Sequence, residues 1–357
     1  MMLGVDEVAR YRDRVRGSLV GGAIGDALGY PIEFLALAQI REAYGTAGIS
    51  GYVGRVAGQI TDDTQMTLFT AEGLLRCPVD GDPIQTLRAA YLRWLTTQQM
   101  EWPNPRPDGW LASQPFLYAS RAPGNACMSG LTRQQHGYVA PRWFGMEGSV
   151  NPTSKGCGTV MRSAAFGLVR SGPAWAFETA GRAAQLTHGH PTGYIAAGAF
   201  AAIIDLVVAG AEVSEAVAVT IGQLAAMPNG GETLAALERA VRAAEHEPSP
   251  ERVESVGLGW VAEECLAVAV YCGLVAARTA DVRLALLLSV NHSGDSDSTG
   301  AVAGNLLGAR YGEAALPPEL AGVIEGREVI AQVAEDLVTV ATRPGRSEDL
   351  LRRYPVG

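Results

Sequence analysis

The sequence predicts an all-α fold made of many crossing helices, and three observations carry that reading. Apolar residues recur at helical rather than alternating spacing along most of the 357 residues. Strand signals are scarce. Two stretches also place glycine at every fourth position: Gly17, Gly21, Gly25 and Gly29 in one, Gly300, Gly304, Gly308 and Gly312 in the other. That spacing leaves one face of each helix bare.

The first helix is read over 15–28, where Val15, Leu19, Val20, Ala23, Ile24, Ala27 and Leu28 fall on helical spacing. Glycine inside a helix costs up to about 1 kcal/mol relative to alanine, so a stripe of them needs a reason. Either another helix backbone approaches closely, or a ligand lies beside the helix. Further helical patterns cover 62–76, 83–98, 160–170, 173–186, 192–209, 212–226, 231–245, 257–277, 281–289, 317–322 and 326–342. Between about 99 and 157 the chain is rich in Pro, Gly and aromatics instead. It reads as a loop-rich insertion within one domain spanning 1–357, and long loops of this kind often carry function. Trp102, Trp110 and Trp143 of this stretch either clamp a purine ring or pin the loop. The polar segment 245–255 reads as a surface linker.

Composition narrows the class. Hydrophobic residues make up 48% and charged residues 18%, enough for a buried core and contrary to disorder. A net charge of −9 disfavours a nucleic-acid surface. Lys155 is the only lysine, hence the one candidate for amine chemistry. The five cysteines are scattered and contain no C-x-x-C pair, so neither a disulfide framework nor a structural zinc site is indicated. The first residues lack the apolar stretch of a signal peptide, and the apolar runs near 195–208 and 265–277 read as too short or interrupted to span a bilayer. A cytoplasmic protein without membrane contact is expected.

The chemistry begins at ITDDTQ. Alone, Thr61-Asp62-Asp63 is a capped helix start with acidic residues in its first turn, supported by Gln65 three after Asp62. The second cluster, GDSDSTG, brings Asp295, Asp297 and Ser298 to the start of the second glycine-faced helix. It is no EF-hand, since Thr299 and Leu306 stand where that pattern needs Asp or Asn and Glu. If the clusters meet, their carboxylates repel and take up protons unless divalent cations neutralise them. A two-metal site of magnesium, or manganese, is therefore expected, with the hydroxyls of Thr61 and Ser298 completing the shells.

Two further segments read as substrate holders. Gly156, Gly158 and Thr159 precede a helix whose N–H groups suit an anion. They form no Walker A motif, and Met161 stands where a dinucleotide fingerprint needs its third glycine. His188 and His190 suit local hydrogen bonding better than zinc, because no further soft ligand accompanies them.

These segments in this order (GSLVGGAIGDALGYPIEF, ITDDTQMTLFTAEGLL, KGCGTVMRSAAFGL, LTHGHPTGYIAAGAFAAI and NHSGDSDSTGAVAGNLLGARYG) resemble the ADP-ribosylglycohydrolase family across 17–312. The resemblance implies a compact orthogonal multi-helix bundle with a binuclear magnesium centre at the bottom of an ADP-ribose cleft. Thr61, Asp62, Asp63, Asp295, Asp297 and Ser298 match the family's metal-ligand positions, Ser298 replacing a more frequent Thr. Glu33 matches a cleft glutamate, Gly158, Thr159 and Val160 the turn that holds the diphosphate, and His188 a histidine near the ribose. The segment RAPGNAC resembles a bacterial branch containing arginine-specific hydrolases.

The expectation that follows is a metal-dependent hydrolase, acting as a monomer on an ADP-ribosylated protein substrate, most simply at arginine. Asp295 or Glu33 would transfer the proton. Three alternatives stay open: another ADP-ribose linkage (serine, nucleic-acid base or small conjugate), a binding or immunity protein without catalysis, and a two-metal phosphoesterase.

Overall fold

Caps and apolar periodicity divide the chain into helices, which a computed structural model describes for residues 4–103, 105–343 and 345–356. Residues 1–3 (within the start read above for a leader), Asn104 of the loop-rich stretch, Pro344 and Gly357 lie outside the described residues. In order, the helices are α1 (Val5–Gly29), α2 (Leu37–Tyr44), α3 (Asp62–Arg76), α4 (Pro83–Gln99), α5 (Asn125–His136) and α6 (Ala164–Leu168). Then follow α7 (Pro173–Ala184), α8 (Pro191–Ala209), α9 (Val213–Ala225), α10 (Gly231–Ala244), α11 (Pro250–Val256) and α12 (Ala262–Thr279). The last are α13 (Val282–Leu288), α14 (Ser296–Tyr311), α15 (Pro318–Ala321), α16 (Arg327–Thr342) and α17 (Glu348–Arg353). No strand occurs among the described residues, only an isolated bridge between Gly156 and Val261.

The predicted all-α class is therefore what the chain adopts, with differences in detail: α2 and α17 carry no counterpart in the sequence reading, and of the stretch 160–170 only Ala164–Leu168 is α-helical. Helix α1 starts at Val5 rather than near 15, because its first turns are mostly polar and show no apolar period; Tyr11 is the residue that turns inward, donating to the Leu168 carbonyl. The loop-rich stretch contains α5, and the supposed linker 245–255 contains α11, capped by Ser249, whose hydroxyl accepts the Arg252 N–H at 3.2 Å. Helix α8, read as too short at 195–208, is 19 residues long and apolar enough to cross a membrane by length and composition. It is instead a core helix, with 89% of its apolar window buried.

The two glycine stripes explain the centre. Helices α1 and α14 run antiparallel, and a Cβ added at Gly25 would overlap the Gly300 carbonyl, at Gly21 the Gly304 carbonyl, and at Gly17 the Gly308 carbonyl. Close backbone approach, not a ligand beside the helix, is the reason for the stripe. Around this seam one cluster of buried apolar side chains runs from Tyr11 to Tyr354. The seam also sets the site. Where it ends at Gly29, the backbone of Ser296 and Asp297 lies against α1, so α14 starts beside the residues that follow α1.

Candidate active site

Asp26, on the last turns of α1, holds the first of the two acidic helix starts. Its buried carboxylate accepts the N–H of Thr61 at 3.0 Å, the N–H of Thr64 at 3.1 Å and the Thr64 hydroxyl at 2.5 Å. Those bonds take up orphan donors of α3's first turn and hold that turn against α1. Thr61 is the N-cap, its hydroxyl accepting the Asp63 N–H at 3.3 Å. Gln65 does not take part in that cap; its Oε1 accepts from Trp94 Nε1 at 3.1 Å and Gln98 Nε2 at 2.9 Å.

Across from it, Asp295 caps α14 by accepting the Ser298 N–H at 3.4 Å, and its own N–H donates to the Leu258 carbonyl at 2.8 Å. Asp297 also accepts the Ser298 N–H, at 2.8 Å. The two starts face one cleft of about 360 Å³. Asp62, Asp63, Asp295, Asp297, Ser298 and Glu33 all line it, with Gly156, Cys157 and Gly158 on one wall and residues 122–127 of the loop-rich stretch on another. His188 lines it as well.

The electrostatics of the cleft are uncompensated. No Arg or Lys lies within 4.0 Å of Asp26, Glu33, Asp62, Asp63, Asp295 or Asp297 among the described residues. Burial first, and Asp297 next, push Glu33 up to about 9 and Asp26 up to about 7. The same two causes raise Asp62, Asp63 and Asp295 well above the carboxylate range. Burial raises Asp297 too, but hydrogen bonds from Asp295, the Ser298 N–H and Glu33 work against the shift.

Oxygens of Glu33, Asp295 and Asp297 lie within 4.8 Å of one another, and one oxygen each of Glu33 and Asp63 is buried without a hydrogen-bond partner. Hard carboxylate and hydroxyl oxygens, crowded and short of donors, fit a divalent cation of the magnesium class.

The structure places the other expected residues unevenly. Thr61 is fully buried behind the cleft rather than on its wall, its hydroxyl turned to Asp63. Of the turn residues, Gly158 lines the cleft; the Thr159 hydroxyl donates to Gly193 at 2.8 Å and the Val160 N–H donates to Cys157 at 2.9 Å. The Val160 amide is therefore already used, which leaves Gly158 as the best placed of the three for an anion. His188 Nδ1 pairs with the Thr187 hydroxyl at 2.7 Å, and burial, then Arg162, pushes its pKa down to about 3. It is a neutral ring in the cleft. His190 caps α8 instead, accepting the Thr192 N–H at 3.2 Å. Lys155 is bound by Glu232 at 2.8 Å and by Glu263 at 2.5 Å, so no free amine is on offer.

Four features escaped the sequence reading. Asp26 was a lone acid in a helix, with nothing to mark partners that lie in the next segment. Cys157 donates to Asp295 Oδ2 at 2.8 Å, and burial, then Asp295, keeps it a thiol. The Gly124 N–H of the loop donates to Asp62 Oδ2 at 3.2 Å, and Arg121 anchors that loop on Glu325 and the Ile60 carbonyl. Lastly, the aromatics at the cleft are Phe34 and Trp260, not the tryptophans of the loop. Trp102 and Trp143 are 67% and 83% exposed and neither clamp nor pin anything by burial, whereas Trp110 packs edge-on against Tyr354.

Comparison with known proteins agrees with the geometry. The sequence profile of the ADP-ribosylglycohydrolase family matches residues 7–347. The chain is 26% identical over 319 residues to the ADP-ribosyl-dinitrogen reductase glycohydrolase of Rhodospirillum rubrum, covering 85% of this chain and 88% of that one. It is 26% identical over 349 residues to an ADP-ribosylarginine hydrolase of Pseudomonas putida (strain GB-1), covering 95% and 81%. A solved ADP-ribosylglycohydrolase-related protein complex superposes with a TM-score of 0.66 at 25% identity, over 93% of this chain and 99% of that one.

Proposed function

The chain belongs to the ADP-ribosylglycohydrolase family, and we propose that it hydrolyses the bond between ADP-ribose and an arginine side chain of a modified protein. The observation that carries this reading is the meeting of both acidic helix starts in one cleft whose carboxylates have no basic partner. The arginine linkage is supported by the similarity to the Pseudomonas putida hydrolase.

Asp62, Asp63, Asp295, Asp297 and Ser298 would hold a binuclear magnesium centre, with Thr61 behind Asp63 steadying it. When bound, such ions supply the positive charge that orients the distal ribose hydroxyls and lowers the pKa of a water. The Gly156–Gly158 turn offers backbone to the diphosphate, and His188, neutral throughout the working range, can exchange hydrogen bonds with the ribose without adding charge. Glu33 is the residue to hold and move the proton. It lines the cleft, and one of its oxygens is buried without a hydrogen-bond partner, free to take or give a proton. Asp295 is tied to Cys157 and to the α14 cap, which suits positioning better than transfer.

The test is a panel of arginine-, serine- and guanine-linked ADP-ribose incubated with the protein and magnesium. Release of ADP-ribose from the arginine-linked member, with a drop of about 100-fold or more in E33Q, is expected. Release from another linkage alone would replace the proposed substrate, and undiminished turnover in excess chelator would remove the metal centre from the mechanism.

A further inference from the structure

We infer that Phe34 and Trp260 form a stacking platform for the guanidinium of the modified arginine, and thereby favour a cationic, nitrogen-linked leaving group. This deepens the function proposed above and rests on it.

Large aromatic side chains are ordinarily covered, yet Phe34 is 72% exposed and Trp260 40%. They cover one another instead, with ring centroids 5.8 Å apart and planes 22° from parallel. Both line the cleft. Each is also fixed through backbone beside a carboxylate of the site. Phe34 directly follows Glu33. The Trp260 carbonyl accepts the Cys157 N–H at 3.2 Å, and two residues earlier Leu258 accepts the Asp295 N–H at 2.8 Å. A stacked pair far apart in sequence thus stands at the carboxylate end of the cleft, where the bond to the target would break.

The chemistry of that position selects a planar cation. A guanidinium binds over an aromatic face by charge–quadrupole attraction. A hydroxyl-linked leaving group brings neither plane nor charge. The 5.8 Å spacing leaves no room between the rings for a third plane, which would need about 7 Å, two carbon contacts of about 3.5 Å. The guanidinium therefore lies against the pair, on its cleft side.

Three proteins, wild type, W260L and W260F, would be compared with magnesium present on an ADP-ribosylarginine peptide, and their affinity for free ADP-ribose measured by calorimetry. W260L is expected to raise KM about ten-fold while kcat stays within about two-fold, and W260F to recover most of the loss. The affinity for free ADP-ribose, which lacks the guanidinium, should stay within about two-fold of wild type in both variants. An unchanged KM in W260L would overturn the inference. So would a parallel loss of ADP-ribose affinity, which would assign the rings to the adenine. Failure of the underlying function reads differently: wild type would release no ADP-ribose from the arginine-linked peptide, and the platform would fall with it.

Discussion

Helices α1 and α14 meet in two ways along one line of contact. From Gly17 to Gly25 on α1 the glycine faces bring backbone onto backbone, with no room for even a methyl group. Beyond Gly29, which is packed just as closely on Ser296, the contact gives way to a cleft lined by Glu33, Asp295 and Asp297, with Asp26 buried behind it and no basic partner for any of them. The first region is dense and internally satisfied. The second is left unsatisfied, with burial raising every carboxylate. The tight seam serves the cleft: a rigid backbone joint can hold like charges together that would otherwise push two helix ends apart.

Breaking the acidic region should cost activity and spare the fold. D297N is expected to lower kcat by about 1,000-fold or more, since it removes a ligand of the proposed centre. Circular dichroism should stay helical, and the metal-free melting temperature should match or exceed wild type, because one source of repulsion has gone.

Breaking the seam should do the reverse. G304A forces a methyl group into the Gly21 carbonyl and should destabilise by about 3 kcal/mol in urea unfolding, the upper range for overpacking. G222A on α9, where nothing lies within 4 Å, should instead stabilise by about 0.5–1 kcal/mol through helix propensity.

A third test uses pH to sharpen the contrast. Folded Glu33 keeps its proton up to about 9, whereas the unfolded side chain releases it near 4.5. The folded state therefore binds more protons across that window, and stability falls as pH rises through it. Between pH 7 and 9 the buried histidines, His188 and His292, whose folded pKa values lie at about 3 and about 4, no longer contribute to the slope. The metal-free melting temperature should drop over that interval, and the increment from added magnesium should grow; a flat metal-free profile would show that the carboxylates do not repel.

The smallest effect is expected outside both regions. W143A, at an 83% exposed position away from the cleft, should change stability by less than about 0.5 kcal/mol and leave KM as it is.

What could be read from sequence follows the same division. The glycine stripes were legible because a four-residue spacing maps directly onto one helix face, and the acidic clusters because both sit at helix starts. Helix α5 was hidden among the Pro and Gly of its neighbours, and the first turns of α1 by their charge. Asp26 was invisible for a different reason: its role consists of bonds to Thr61 and Thr64 that arise from folding alone. The Phe34–Trp260 pair likewise exists only in three dimensions. Tertiary pairings of single residues leave no local pattern, whereas repeated spacing does.

The proposed activity turns on whether the two acidic helix starts share metal ions. Crystals grown with manganese and measured for anomalous scattering answer that most directly. The expected result is two peaks in the cleft, flanked by Asp62 and Asp63 on one side and by Asp295, Asp297 and Ser298 on the other. A cleft without anomalous density at saturating manganese, in crystals that still bind ADP-ribose, would contradict it.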